Sequence, residues 1–376
     1  MSVTKINLIS IGYSKRALEK NTRERERMKR YASVLESHRV IVFSRKKDGL
    51  PPFQRDGNLF LYSTNARTRL GIMWKAFLIG KRIVKENSLV NWIVSSQDPF
   101  ETSLVGRAIA RPQNASHHVQ VHGDIFNPLS YKESFLQRVR FYYGKFVVTH
   151  SGCIRVVSER VKKSLVSLGV QPEKVTVLPI QADLESFLKV GHERLYTSPH
   201  PTKFLYIGRF SPEKNLLMLL QAFKRVAETN PDITLTLVGD GPEINEIKNF
   251  IDAEKLQQSI CLKKWTDNVP EEMKSADALC LTSNHEGWGM VLVEAAAAGL
   301  PVITTRVGCA DEFIINNEQG KVVDVADLEG FAEAMEMYCS RPELVEKHGR
   351  NGHQAASRFV ITNESYLQQF VDSYTR

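Results

Sequence analysis

Two carboxylates, Glu286 and Glu294, stand eight residues apart around a pair of glycines in the stretch Ser283 to Thr305, SNHEGWGMVLVEAAAAGLPVITT. Gly287 and Gly289 let the backbone come close to a ligand at a helix start, where free N–H groups and the helix dipole favour phosphate. Glu286 stands at the mouth of that turn. Glu294 falls on the second helical turn between Val293 and Ala295, where a carboxylate needs a dedicated donor or a place near the surface. A sugar nucleotide would meet this arrangement at two points, its sugar near the turn and its ribose near the helix. An ordinary strand–helix–strand unit with a solvent-facing Glu294 accounts for the same residues. Trp288, between the two glycines, reads either as a packing residue or as a wall of a sugar pocket.

A second pair of candidates is cationic. Gly208-Arg209 ends the strand KFLYIGR, and Lys214 follows after FSPE. Arg can hold two phosphate oxygens at once and Lys acts as a movable point charge, so both can converge on one diphosphate across a strand–helix turn. Either can equally be a surface cation. Another candidate is His122, followed by glycine at the end of HHVQVHGD (117–124), which reads as a ligand-facing or a structural histidine. No GxxxxGK[ST] phosphate loop is present and no GxGxxG follows the first strand, which counts against an NTPase and an NAD-dependent dehydrogenase.

The elements that position these residues alternate. Strands are expected at 4–11, 38–44, 88–96, 117–124, 154–158 and 175–179, then at 203–209, 232–239, 259–264, 277–283, 301–305 and 321–325, with helices between them. That is the pattern of parallel sheets with crossover helices. NTRERERMKR (21–30) alternates in charge and reads as a solvated helix face, with Arg23 or Arg25 near a sheet edge as the functional alternative. Residues 68–88 mix an apolar face (Met73, Trp74, Phe77, Leu78, Ile83) with Lys75, Lys81, Arg82 and Lys85. Residues 135–145 interleave Phe141, Tyr142 and Tyr143 with Arg138, Arg140 and Lys145.

A chain of 376 residues exceeds what one core comfortably supports, so two domains are expected. Its 42% apolar and 24% charged residues suit a soluble α/β protein, and no run approaches the roughly 20 apolar residues of a membrane span. The start has no signal-peptide pattern. Five widely spaced cysteines show no metal spacing, so buried thiols in a reducing compartment are expected. The net charge of +8 is unevenly spread: residues 1–190 hold 32 Lys+Arg against 15 Asp+Glu, and residues 191–376 hold 18 against 27. The balances are +17 and −9. A basic half implies an anionic partner.

GRFSPEKN, LVGDGPE and above all EGWGMVLVEAAAAGLPV resemble retaining glycosyltransferases of the family 4 type. The resemblance is dense over 203–325 and looser over 90–180. It implies the GT-B fold: two Rossmann-like domains facing across a cleft, with a C-terminal helix crossing back to the first. On that basis residues 1–185 form an acceptor-side domain, 186–202 a linker, 203–358 a donor-side domain and 359–376 the returning helix. By position, Arg209 and Lys214 resemble the pair that holds the donor diphosphate and neutralises the leaving group, with Gly208 beside them. Glu286 resembles the first glutamate of the motif, near the transferred sugar, and Glu294 the second, at the ribose. Gly287, Gly289 and the backbone at Met290 and Val291 resemble the diphosphate cradle. His122 resembles the histidine that reaches the donor sugar. Where the family often has Gly-Gly after the first strand, this chain has Gly12-Tyr13.

The implied reaction is transfer of a hexosyl group from a UDP- or GDP-linked sugar to a glycan or lipid-linked acceptor, with retention, no metal and no other cofactor. Partners implied are the nucleotide sugar, the acceptor and, through the basic half, an anionic membrane surface. Nucleic acid is disfavoured, since no RNA-binding signature accompanies the aromatic–basic stretches. The expected location is cytoplasmic, with peripheral attachment to the inner membrane face. The alternatives are a sugar-nucleotide epimerase of the same fold and a non-catalytic nucleic-acid or scaffold protein.

Overall fold

The structure is a computed structural model, and it describes residues 4–86, 90–126, 135–196, 203–359 and 363–374. The chain divides into two compact units, residues 1–179 with 362–376, and residues 180–361. Each is built on its own sheet.

Among the described residues the first unit holds eight strands: β1 (Thr4–Gly12), β2 (Leu35–Val42), β3 (Phe53–Asp56), β4 (Leu59–Ser63), β5 (Trp92–Ser96), β6 (Ser116–Val121), β7 (Cys153–Val156) and β8 (Val175–Val177). They lie in the order β3-β4-β2-β1-β5-β6-β7-β8, parallel except for the β3–β4 hairpin. The sheet's core is mainly apolar, with Leu8, Ile9, Ile11, Ile41, Val94, Val119 and Ile154 all buried, as sheets covered on both faces require, although the same strands also bury Ser95, His118, Gln120 and Arg155. The hairpin was not expected. Its two-residue turn is Gly57-Asn58, with Gly57 at φ 61°, a connection that glycine permits.

Three expectations change in this unit. Arg25 does not lie on a solvated face. It is buried, and Nη1 donates to the Ala17 carbonyl at 3.2 Å and to Gln54 Oε1 at 2.9 Å; it pins the helix Arg23–Ser33 to the hairpin. The apolar face expected over 68–88 splits, because a helix wide enough to cover the sheet turns part of that face outward. In the helix Arg69–Glu86 Ile83 is core and Met73 and Phe77 pack against it, while Leu70, Trp74 and Leu78 are exposed. Of the cysteines, Cys280, Cys309 and Cys339 are buried but Cys261 is exposed, on the solvent side of an edge strand.

The second unit holds β9 (Lys203–Ile207), β10 (Thr234–Val238), β11 (Ile260–Lys263), β12 (Ala278–Leu281), β13 (Val302–Thr305) and β14 (Gly320–Val323), all parallel, in the order β11-β10-β9-β12-β13-β14. Part of the stretch read as a linker is the helix Glu185–Glu193, with Phe187 and Val190 buried. Arg194 then donates to the Ala298, Ala276 and Met273 carbonyls, so this segment is integral to the second unit.

The final helix, Asn363–Asp372, belongs to the first unit. Tyr366 accepts from Arg155 Nη2 at 2.8 Å and donates to the Pro179 carbonyl at 2.9 Å, and Phe370 stacks on Tyr31 at 4.2 Å. Among the described residues no helix is long and apolar enough to cross a membrane.

Candidate active site

In the second unit the strand order switches between β9 and β12: from β9 the chain steps outward through β10 to β11 and then returns to place β12 on the other side of β9. Ligands of open α/β sheets bind at such a point, outside the carboxyl ends of the strands. Two connections meet there. After β9 the chain runs through Gly208-Arg209-Phe210 into a short turn, Pro212–Lys214, and Asn215, left-handed at φ 49°, opens the helix Leu216–Thr229. After β12 it runs through Thr282 to Gly289, and Gly289, at φ 79°, begins the helix Met290–Ala297.

The two connections are laced together. Thr282 Oγ1 donates to the Lys214 carbonyl at 3.0 Å, the Asn284 amide to the Glu213 carbonyl at 2.8 Å, and Asn215 Nδ2 to Asn284 Oδ1 at 3.2 Å. At the centre Lys214 Nζ pairs with Glu286 Oε1, and Ser283 Oγ donates to the same oxygen at 2.9 Å. Both charged side chains are largely covered, at 18% and 14% exposure, so the pair is screened less than a surface pair. Ser283, Asn284 and Asn215 were not singled out in the sequence; their polar run beside Glu286 was the available signal.

The remaining predicted residues fall as follows. Arg209 is exposed, and its guanidinium has no hydrogen-bond or ion-pair partner among the described residues. The structure brings Lys214 to Glu286 but does not tie Arg209 to either. Gly208 is needed where it stands, since a Cβ there would lie 2.6 Å from the Tyr206 hydroxyl. Gly287 is half-buried, and Met290 and Val291 take the first two helical positions, where amides lack intrahelical acceptors. Glu294 is half-buried between buried Val293 and Ala295. Trp288 is a packing residue: it is buried, stacks on Phe359 at 5.9 Å, and its carbonyl accepts from the Cys309 amide at 2.7 Å.

His122 lies in the first unit, just beyond β6. Its Nε2 is 2.9 Å from Gln97 Oε1, which fixes the proton on Nε2 and leaves Nδ1, buried without a partner among the described residues, as an acceptor. Burial, then the charges of Arg155 and Arg27, push its pKa down to about 3, so the ring is neutral near pH 7. Gln97 packs against Gly12, where a Cβ would meet its Cγ at 2.7 Å. Among the described residues no group of three His, Cys, Asp or Glu side chains is placed to hold a metal ion.

Two family models match the two halves of the chain: "Glycosyltransferase Family 4" over residues 31–186 and "Glycosyl transferases group 1" over residues 193–355. The chain belongs to the group 1, family 4 type of glycosyltransferases. Among its relatives is the UDP-Gal:alpha-D-GlcNAc-diphosphoundecaprenol alpha-1,3-galactosyltransferase of Escherichia coli, 27% identical over 249 residues, which are 62% of this chain and 63% of that enzyme. The match therefore spans less than two thirds of that relative. Two solved structures share the GT-B fold of this glycosyltransferase. Sucrose-phosphate synthase from Thermosynechococcus elongatus superposes with a TM-score of 0.79 at 16% identity, covering 98% of both chains. Anabaena HepE in complex with UDP-glucose gives 0.72 at 15% identity, covering 98% of this chain and 99% of that one.

Proposed function

We propose that this glycosyltransferase moves a hexosyl group, with retention of configuration, from a UDP- or GDP-linked sugar to a glycan or lipid-linked acceptor in polysaccharide or glycoconjugate synthesis. The observation that carries the reading is the Lys214–Glu286 pair set against the Gly287–Gly289 turn at a helix start. A diphosphate leaving group needs preorganised positive charge. In this reading Lys214 and exposed Arg209 supply it, with the Met290 and Val291 amides, while Glu294 takes the ribose hydroxyls. Glu286 orients the transferred sugar and stabilises charge at its anomeric carbon. The second unit is then the donor side and the first the acceptor side, with neutral His122 as a hydrogen-bonding group toward the sugar. Attack from the same face as departure lets the leaving phosphate oxygen take the acceptor proton, so the reaction needs neither a protein base nor a metal or other cofactor.

Support for a nucleotide-sugar donor comes from the relative that uses UDP-Gal and the neighbour bound to UDP-glucose. An anionic membrane surface is the further partner we assign to the basic first half. The test is a donor screen: binding and slow hydrolysis of UDP-, GDP- and ADP-sugars by the purified chain, with Arg209→Ala and Glu286→Gln in parallel. One nucleotide sugar is expected to bind selectively, with affinity about tenfold weaker in R209A for the loss of a charged contact, and turnover reduced in E286Q. Binding of none removes the main support for the donor assignment. Release of an epimerised nucleotide sugar without acceptor would favour an epimerase instead.

A further inference from the structure

The first unit holds a cavity at the other end of its sheet from His122, where β5, β6 and β7 begin. Its volume is about 470 Å³ and its walls include Ile93, Arg107, Arg111, Ser116, His117 and Tyr374, the size of a small-molecule site. The connections entering these strands supply much of the lining. The helix Glu101–Ala110 ends there before β6, and His150 to Gly152 follow the helix Phe135–Thr149 before β7. Among the described residues the lining includes no carboxylate.

Two guanidiniums belong to this cavity. Arg107 is half-buried and Arg111 exposed. One face of the Arg107 guanidinium lies over the Phe146 ring at 5.3 Å, but the N–H groups of neither arginine have a hydrogen-bond or ion-pair partner among the described residues. Arginines near a helix C-terminus ordinarily serve its last carbonyls, and the two helices that end here add about half a negative charge each. Arg107 and Arg111 make no such capping bond, and two full positive charges outweigh two partial negative ones. The cavity is left net positive.

His117 adds a different contact. Ser96 Oγ donates to the Thr102 carbonyl at 3.1 Å and so accepts from His117 Nε2 at 2.9 Å. That leaves Nδ1 as an acceptor with no partner among the described residues. Burial, then the charge of Arg107, push the ring's pKa down to about 4, so it is neutral near pH 7. Gly106 permits this packing, since a Cβ there would lie 2.3 Å from Ser96 Oγ.

We propose that this cavity binds a hydroxyl-bearing phosphate ester, with Arg107 and Arg111 on the phosphate oxygens and His117 Nδ1 accepting from a hydroxyl. The arginine fork meets two phosphate oxygens at once, and an uncharged imidazole acceptor selects an ester with hydroxyls over inorganic phosphate. The cavity lies at the amino ends of its strands, whereas the donor turn lies beyond the carboxyl ends of the other sheet. Its occupant is therefore a ligand additional to the nucleotide sugar, and the site does not rest on the transferase reading. A free sugar or polyol phosphate and the headgroup of an anionic lipid share this chemistry.

The experiment is calorimetric titration of the full chain with glycerol 3-phosphate, glucose 6-phosphate, inorganic phosphate and uncharged glucose, beside sedimentation with phosphatidylglycerol and phosphatidylcholine liposomes. Wild type is compared with Arg107→Gln, Arg111→Gln and His117→Ala, and with Lys214→Ala, which removes a cation of the donor turn. Arg111 is exposed, so R111Q reads binding without disturbing the fold. At least one hydroxylated ester is expected to bind more tightly than inorganic phosphate, and glucose not at all. R107Q and R111Q should each weaken the ester about tenfold. H117A should weaken the ester and spare inorganic phosphate, and K214A should leave ester binding in place. Binding of a soluble ester makes the occupant a metabolite; binding only to phosphatidylglycerol liposomes, lost in R111Q, makes it a lipid headgroup. Binding of neither, ester binding lost in K214A but unchanged in R107Q and R111Q, or an H117A that weakens ester and inorganic phosphate alike overturns the proposal. If ester binding needs Arg107 and Arg111 although no nucleotide sugar binds, this site stands and the donor assignment falls.

Discussion

Lys214 and Glu286 are 72 positions apart and meet because β9 and β12 are neighbours whose connections leave the same sheet edge. Ser283 and Lys214 share one oxygen of Glu286, yet only Lys214 brings a charge that could pass to a departing phosphate. The two substitutions should therefore separate. Ser283→Ala removes one hydrogen bond to a charged acceptor and should cost kcat/KM about tenfold. Lys214→Ala removes both the orientation of Glu286 and the positive charge, and a loss on the order of 10²–10³ is expected. Steady-state kinetics on the donor found in the screen decides it. Equal losses would mean that Lys214 serves only as a scaffold for Glu286. At this scale the motif residues were legible because their spacing around the glycine turn is itself chemical. Asn215 and Asn284 were not, since they arrive from separate connections and only folding puts them together. Arg25 misled, because its charge alternation looked solvated while its guanidinium had buried carbonyl and amide oxygens to satisfy.

The elements were legible where strand and helix periods alternate, and the parallel core strands matched within a few residues. The β3–β4 hairpin escaped because Phe53–Asp56 and Leu59–Ser63 are short, although Gly57-Asn58 between them is a two-residue turn signal. The helix Arg69–Glu86 shows a further limit: its sequence gives the apolar residues but not how many the sheet can cover. Leu70, Trp74 and Leu78 remain exposed on a helix that also exposes Lys75, Lys81, Arg82 and Lys85. The neighbouring helix Glu101–Ala110 lays Arg107 over Phe146 at 5.3 Å, beside exposed Val139 and Tyr142. Basic side chains around exposed aromatic and aliphatic ones suit an anionic lipid surface, where each Lys or Arg contributes about 1 kcal/mol. In K81Q/R82Q/K85Q, co-sedimentation with phosphatidylserine liposomes should fall by about two orders of magnitude in partition coefficient, and binding to neutral liposomes should be weak throughout. Unchanged sedimentation on anionic liposomes would remove this helix from any membrane role.

Across the whole molecule the two units differ in how they hold histidine. Burial is the first cause of low pKa at His38 and His117, each near 4, and at His118 and His122, each near 3. All four lie in the first unit, whereas the second holds His348, near 4. Unfolded, each titrates near 6.5. The folded chain therefore binds fewer protons than the unfolded chain between pH 6.5 and about 4. Stability is full above 6.5 and is lost as pH falls toward the folded values, by about 1.4 kcal/mol per pH unit for each histidine. Asp98, with its carboxyl raised, works in the opposite direction, but it is one group against four. The first unit should thus be the acid-sensitive one. Hydrogen exchange compared at about pH 7.5 and pH 5, corrected for intrinsic rates, should show protection lost first in Ser116–Val121 and Cys153–Val156, with Lys203–Ile207 and Ala278–Leu281 holding longer. Parallel loss in both units would mean that the chain unfolds as a single cooperative block in acid, and that the uneven placement of histidine has no separate effect on the first unit.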